Sequence, residues 1–237
     1  MGSRPGVWRS PTSPAAPNIT RTDLSQTRGC REAGSRLFAR REGGNATKIA
    51  ILGHSGSGKS TLARELGARY ALPVLHFDSI QFRPGWVEIG REEKREKTAA
   101  FLAENPGGWV LDGNYLRICP EERFSRADVI LYLDFPRRMC LRRVLSRWRT
   151  YRGVTRPDMA PGCPEKIDRE FLRWILWEGR RPARLAGIAA LGEQYPRAFV
   201  RLTSPRALEA WKRSFYADHP PAEPQSPPVF TKGDQEP

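Results

Sequence analysis

The sequence predicts an α/β fold in which a parallel sheet carries helices on both faces. Three observations predict it. Short apolar runs alternate with segments of helical periodicity through roughly 170 residues, the pattern of strand–helix–strand units. A glycine-rich stretch, Gly53-His54-Ser55-Gly56-Ser57-Gly58-Lys59-Ser60-Thr61, lies between a strand-like run and a helix-like one. Two of the apolar runs end at an acid, Asp78 and Asp112. In parallel sheets ligands gather beyond the C-terminal strand ends, so these acids draw interest.

The elements follow in order. Lys48-Ile49-Ala50-Ile51-Leu52 has the unbroken apolar character of a buried strand. Behind the glycine-rich stretch, Leu62, Leu66 and Tyr70 recur at helical spacing. Pro73-Val74-Leu75-His76-Phe77 is a second strand that ends at Asp78, and Gln81 to Trp86 reads as a loop with an aromatic anchor. Arg91 to Glu104 is a charged helix, broken by Asn105-Pro106-Gly107-Gly108. Trp109 to Gly113 is the third strand, followed by a loop and short helix from Asn114 to Arg126.

Ala127 to Asp134 is the fourth strand, apolar enough to be buried on both faces. Pro136 opens a helix at its first turn, with Leu141, Val144, Leu145 and Trp148 as its apolar face. Tyr151 to Pro164 is a loop. Glu165 to Glu178 is a helix with Ile167, Phe171, Trp174 and Ile175 on one side, and another helix runs from Pro182 to Glu193. Ala198 to Leu202 is the last strand. Ser204-Pro205 starts a final helix with Leu208, Trp211 and Phe215 inward.

The ends differ from this core. Residues 1–44 are rich in Pro, Ser, Arg and Gly and are expected to be disordered, with Glu32 to Arg41 as a short candidate helix. The stretch is Arg-rich and acid-poor, as transit peptides are, but Pro5, Pro11, Pro14 and Pro17 spoil an amphipathic helix and favour a dispensable extension. Residues 217–237 are Pro-rich and polar, and are also expected to be disordered. The folded domain is placed at 45–216.

The chain has 237 residues and a formal net charge of +14. That balance suits polyanions, either nucleic acid or the phosphates of nucleotides; a basic solvated surface would give it too. Cys30, Cys119, Cys140 and Cys163 form no C-x-x-C pair and no metal-ligand pattern with the histidines, and no signal peptide is visible. They are expected to be reduced and structural in a cytoplasmic protein. No apolar run reaches the length of a membrane span, so no membrane partner is expected. The oligomeric state is not set by the sequence.

The glycine-rich stretch carries the chemistry. It is a complete G-x-x-x-x-G-K-[ST] match in the strand–turn–helix context that such a loop needs. Its glycines let consecutive N–H groups curl around an anion, and the helix N-terminus behind adds its free N–H groups. Lys59 supplies a point charge for the outer phosphates, and the Ser60 hydroxyl is a ligand for Mg2+. ATP or GTP binding follows.

The phosphate loop, Leu111-Asp112-Gly113 and Pro136 followed by Arg143 and Arg147 resemble adenylate kinase and its nucleoside-monophosphate kinase relatives. His76-Phe77-Asp78, Pro84-Gly85-Trp86, Asp112-Gly113-Asn114-Tyr115, Thr155-Arg156-Pro157-Asp158-Met159 and Gly162-Cys163 are similar to the adenylate-kinase-like group called DNA topology modulation protein, over about residues 47–216. The resemblance implies a three-layer P-loop NTPase fold of the nucleoside-monophosphate-kinase type, with a five-stranded parallel sheet and an arginine-rich lid. It implies ATP with Mg2+ and a small phosphate acceptor, nucleotide or nucleoside-like.

It also implies roles. Asp112 stands near the metal, Arg143 and Arg147 hold the ATP base and phosphates, and Arg156 closes on the transferring group. Asp78, Trp86, Asn114, Tyr115 and Arg117 are the acceptor-side candidates; Asp78 is open to acceptor binding, metal binding or general-base work. Two departures bear on the acceptor. The relatives' Leu-Asp-Gly-Phe-Pro-Arg is Leu-Asp-Gly-Asn-Tyr-Leu-Arg here, which moves the monophosphate-gripping arginine to Arg117. The usual Thr-Gly-Asp segment is replaced by Asp78 to Trp86. A nucleic-acid-associated ATPase and an ATP-gated regulator are the alternative readings.

Overall fold

The computed structural model describes residues 47–221. The expected tail 1–44, the expected tail 217–237 from residue 222 on, the candidate helix Glu32 to Arg41 and Cys30 lie outside the described residues. Seven strands and seven helices are described: β1 Lys48–Gly53, α1 Lys59–Tyr70, β2 Val74–His76, α2 Phe77–Gln81, β3 Phe82–Arg83, β4 Val87–Glu88, α3 Arg91–Glu104, β5 Trp109–Asp112, β6 Val129–Leu133, α4 Arg137–Tyr151, α5 Arg169–Leu176, α6 Pro182–Gln194, β7 Phe199–Leu202 and α7 Pro205–Asp218.

The main sheet has five strands in the order β2-β5-β1-β6-β7. All four pairings are parallel. The apolar runs therefore form the expected α/β architecture with a P-loop NTPase topology around its central strand. β1 is central and buried beyond its first residue, and β6 is buried throughout. Alternate residues face opposite layers. Ala50, Leu52, Leu111, Ile130 and Tyr132 pack with Leu102 of α3, Phe124, and Ile188 and Leu191 of α6. The other face receives α1 and α7, which are tied to each other by Lys212 to Glu65 at 2.7 Å and Tyr216 to Glu65 at 2.7 Å.

Several boundaries differ from the sequence reading, each for a local reason. β2 ends at His76, so Asp78 sits in the first turn of α2 rather than at a strand end. The Gln81–Trp86 segment is not a plain loop. It holds the short antiparallel hairpin β3–β4, whose turn takes Gly85 and Trp86 at positive φ. The Gly85 N–H donates to Gly162 O at 3.0 Å and Cys163 Sγ donates to Arg83 O at 3.3 Å, so the hairpin is fastened to the loop after α4.

Pro136 precedes α4 as its cap rather than lying within it. The buried face of that helix is Cys140 and Val144, while Leu145 is exposed, because the phosphate loop packs against the former pair. The helix expected from Glu165 begins at Arg169, where the Asp168 carboxylate accepts from the Phe171 N–H at 2.8 Å and caps it. The short helix expected within 114–126 is a single π-helical turn, Glu121–Ser125. α7 runs to Asp218, two residues past the expected domain boundary at 216. Cys119, Cys140 and Cys163 are free and buried. No helix among the described residues is long and apolar enough to cross a membrane.

Candidate active site

The phosphate loop leaves β1 at its C-terminal end and enters α1. Gly56 adopts φ 80 with its Cα against α4, where an added Cβ would meet Cys140 O at 2.4 Å. No larger residue fits there without moving α4 or bending the loop. The Ser57 N–H donates to His54 O at 2.9 Å, and Arg143 of α4 donates from Nη1 to Ser57 O at 2.8 Å. The Lys59 ammonium rests 3.4 Å from His54 O. Ser55 to Thr61 line one wall of a cleft of about 1220 Å³.

Opposite the loop stand acids. Asp112, at the end of β5, is almost wholly buried. One of its carboxylate oxygens lies 3.0 Å from His76 Nδ1, and the other, Oδ1, is buried with no hydrogen-bond partner among the described residues. Gly113 follows at φ 148, where a side chain would strike Phe77 at 2.7 Å, so the glycine lets α2 close over the end of β5. That closure brings Asp78 to the same cleft. Asp78 keeps solvent contact through the cleft mouth but is walled in by protein. The enclosure pushes its carboxyl up, and the Asp112 charge adds to the push, with Lys59 and Arg156 acting against it.

The lid expected from the resemblance falls on the segment between α4 and α5, next to the end of α4. Arg147 of α4 pairs with Glu165 at 2.7 Å. Arg156 is buried and lies between Asp158, 2.7 Å from Nη1, and Glu165, whose Oε2 is 2.6 Å from Nε at an angle unsuited to a hydrogen bond. Asp158 reaches toward the phosphate loop, with Arg64 of α1 3.9 Å away and Ser60 near enough to favour its carboxylate. Burial pushes the Asp158 carboxyl up, but Arg156 and Ser60 outweigh it and hold it below the ordinary range. The lid arginines thus face the loop with carboxylates in their grip.

The structure brings together Ser55, Gly56, Ser57, Gly58, Lys59, Ser60, Thr61, Asp78, Trp86, Asp112, Asn114, Tyr115, Arg143, Arg147 and Arg156. Two expected residues take other roles, and Asn114 takes a second one. The His54 imidazole turns away from the cleft, to Asp134 at 3.2 Å and the Tyr132 hydroxyl at 3.0 Å. Burial, then the Arg180 charge, lowers its pKa to about 4, so the ring is neutral near pH 7. Asn114 lines the cleft and also holds the loop entrance. It accepts from the Gly53 N–H at 2.8 Å and donates to Gly53 O at 2.6 Å, a two-point clamp on the loop entrance. Arg117 is exposed and does not line the cleft; among the described residues its carbonyl is engaged, by Arg91 at 3.3 Å.

Sequence reasoning missed Asp158 and Glu165 as the partners of the lid arginines. It also missed Arg123, fully buried, which donates to the carbonyls of Tyr115, Ile118 and Gly113 and so fixes the turn that carries Tyr115. Thr155-Arg156-Pro157-Asp158 offered a signal for Asp158, an acid two residues from a lid arginine. Glu165 had none, because its periodicity reads as helix.

No protein-family profile and no curated protein matches the chain. Similar solved structures include the deoxyadenosine kinase from M. mycoides with bound dATP, at 14% identity and a TM-score of 0.43, covering 73% of this chain and 97% of that one. A sugar kinase from Janibacter sp. is similar at 16% identity and a TM-score of 0.45, covering 75% of this chain and 97% of that one.

Proposed function

We propose that the chain is a Mg2+-dependent phosphotransferase that moves the γ-phosphoryl group of ATP to a small acceptor. The observation that carries the reading is the division of one cleft by charge. Lys59, Arg143, Arg147 and Arg156 converge at the phosphate loop, while Asp78 and Asp112 stand across from them. Phosphoryl transfer asks the protein for alignment, charge neutralisation and exclusion of water rather than covalent work. The adenylate-kinase-like class belongs to this proposal through Leu111-Asp112-Gly113 and the spacing of Arg143 and Arg147 after Pro136.

The residues fit a Mg2+ ion. The unpartnered Asp112 Oδ1 and the Ser60 hydroxyl are oxygen donors that line the same cleft from facing walls. Mg2+, when bound there, would draw charge from the β- and γ-phosphates. Lys59 would leave His54 O for the phosphates. Arg147 and Arg156 would exchange carboxylate partners for phosphate oxygens, which couples lid position to nucleotide. A second cavity of about 560 Å³, lined by Pro136, Met139, Arg142 and Pro205, shares Arg143 and Ser146 with the cleft and suits the nucleoside end. Asp78 accepts the acceptor's proton.

The test is ADP formation by the full chain with ATP and an acceptor panel, with Mg2+ or with EDTA, in the wild type and Lys59→Ala. The reading expects Mg2+-dependent formation that falls by about 1000-fold in the variant. Equal rates in the two proteins would refute it.

A further inference from the structure

The arm of the cleft that would receive the acceptor is built by α2, the β3–β4 hairpin and the turn after β5. Asp78, Gln81, Phe82, Trp86, Glu88 and Tyr115 line it. Two of these are acids, three are aromatic and none is a cation. From that lining we propose that the acceptor is a hydroxyl compound without a phosphate or carboxylate group, an uncharged or cationic alcohol. The inference rests on the phosphotransferase reading above.

Cations do lie near this arm, but each has a partner. The Lys94 ammonium bonds Glu88 at 2.5 Å and stands 5.6 Å from the Tyr115 ring centre. Arg83 pairs with Glu93 at 2.8 Å on the outside of the hairpin. Arg123 is spent on three backbone carbonyls. Lys166 covers the Trp86 ring at 5.1 Å and pairs with Asp168 at 3.3 Å. Arg117, which sequence placed to grip a monophosphate, points elsewhere. A phosphate dianion on the acceptor would meet Asp78 and Asp112, and the Arg156 guanidinium that acts on Asp78 is already held by Asp158 and Glu165.

The aromatic walls say more about shape. Phe82 and Trp86 meet edge to face at 5.3 Å, and Tyr115 stacks on Phe77 at 5.1 Å. The Trp86 Nε1 is buried, so the indole offers the arm its ring and not its N–H. A flat or apolar body fits between these walls, with the reactive hydroxyl toward Asp78. In the reaction the acceptor oxygen bonds to the γ-phosphorus. The bond from that phosphorus to the β–γ bridging oxygen breaks, and its electron pair leaves on ADP. The hydroxyl proton passes to the Asp78 carboxylate and then to solvent.

The experiment gives the full chain Mg2+ATP and two panels. One holds AMP, GMP, CMP, UMP and dTMP; the other holds the matching nucleosides, aldopentoses, aldohexoses, choline and ethanolamine. The expected result is a phosphate ester from the second panel only, with kcat/KM at least about 100-fold above any monophosphate. Asp78→Asn is expected to lose about 100-fold of that transfer with ATP affinity unchanged. Transfer to a monophosphate overturns the inference and leaves the phosphotransferase reading standing. Failure to bind Mg2+ATP removes that reading and the inference with it. If ATP binds and neither panel turns over, the ADP-loaded chain is titrated with the five monophosphates. Saturable binding of one below about 1 mM overturns the inference, and binding of none below that supports it.

Discussion

The two ends of the cleft are built in opposite ways. The donor end, expected to take the nucleotide, is made from one contiguous stretch, strand, loop and helix, with the N-terminus of α1 behind the loop. Its few side-chain supports come from far away: Asn114 clamps Gly53, and Arg143 holds Ser57. The acceptor end is made from short pieces, a five-residue helix and two two-residue strands, held by contacts with the lid. Met159, Ala160 and Cys163 of the lid pack with Phe82 and Trp86 of the hairpin. The segment between α4 and α5 and the acceptor arm thus pack together, and Asp158 links them to α1 behind the loop. Charge follows the same division, cationic over the loop and acidic over the arm.

The largest expected effect tests the donor end alone. Lys59→Ala should lower phosphoryl transfer by about 1000-fold, about 4 kcal/mol of transition-state stabilisation, with the thermal transition unchanged. A variant that keeps more than a tenth of the rate would break the comparison at its strongest point. Next comes the segment between α4 and α5. Arg156→Ala leaves Asp158 and Glu165 buried without their shared partner, at a cost of about 3 kcal/mol. Denaturant unfolding should show that loss, and an unchanged midpoint would mean the lid is not closed by these pairs.

The third effect is one of pH and belongs to the donor end. The folded protein holds His54 neutral to about pH 4, whereas the unfolded chain protonates it near its ordinary value. Between those values the unfolded state binds more protons, so this contribution to stability is full above the ordinary histidine range and is lost as pH falls toward 4. Discounted for solvent screening, the loss is about 2 kcal/mol. Thermal melts from pH 7 to 4 should decline less steeply in His54→Asn than in the wild type. The smallest effect sharpens the same end. Asn114→Ala removes two hydrogen bonds from Gly53, worth about 1 kcal/mol, and should raise the KM for ATP several-fold with little change at the acceptor.

The same division decided what the sequence could tell. The loop, its flanking strand and helix, and the five sheet strands were legible because each is specified by neighbours in sequence. Leu62, Leu66 and the apolar β1 run carry their own periodicity. Asp112 was legible as an acid closing a buried strand. The acceptor end was not. α2 and the hairpin are too short for a period, and their fold depends on Gly162 and Cys163, about 80 residues away. Glu165 read as the start of a helix because nothing local shows that Arg147 and Arg156 claim its carboxylate. Asn114 stood in a matching motif, yet its partner Gly53 lies 61 positions earlier. Arg117 was placed by counting along the chain, and the turn fixed by Arg123 carries it outward.

The most direct test of the divided cleft is a crystal structure of the full chain with Mg2+ and the non-hydrolysable β,γ-imido analogue of ATP. The account predicts the triphosphate on the backbone of Ser55 to Ser60, its terminal phosphate between Lys59 and Arg156, and the base near Arg143 and Pro205. The arm lined by Phe82, Trp86 and Asp78 would stay free of nucleotide. A base seated against Trp86, or a triphosphate outside the loop, would contradict it.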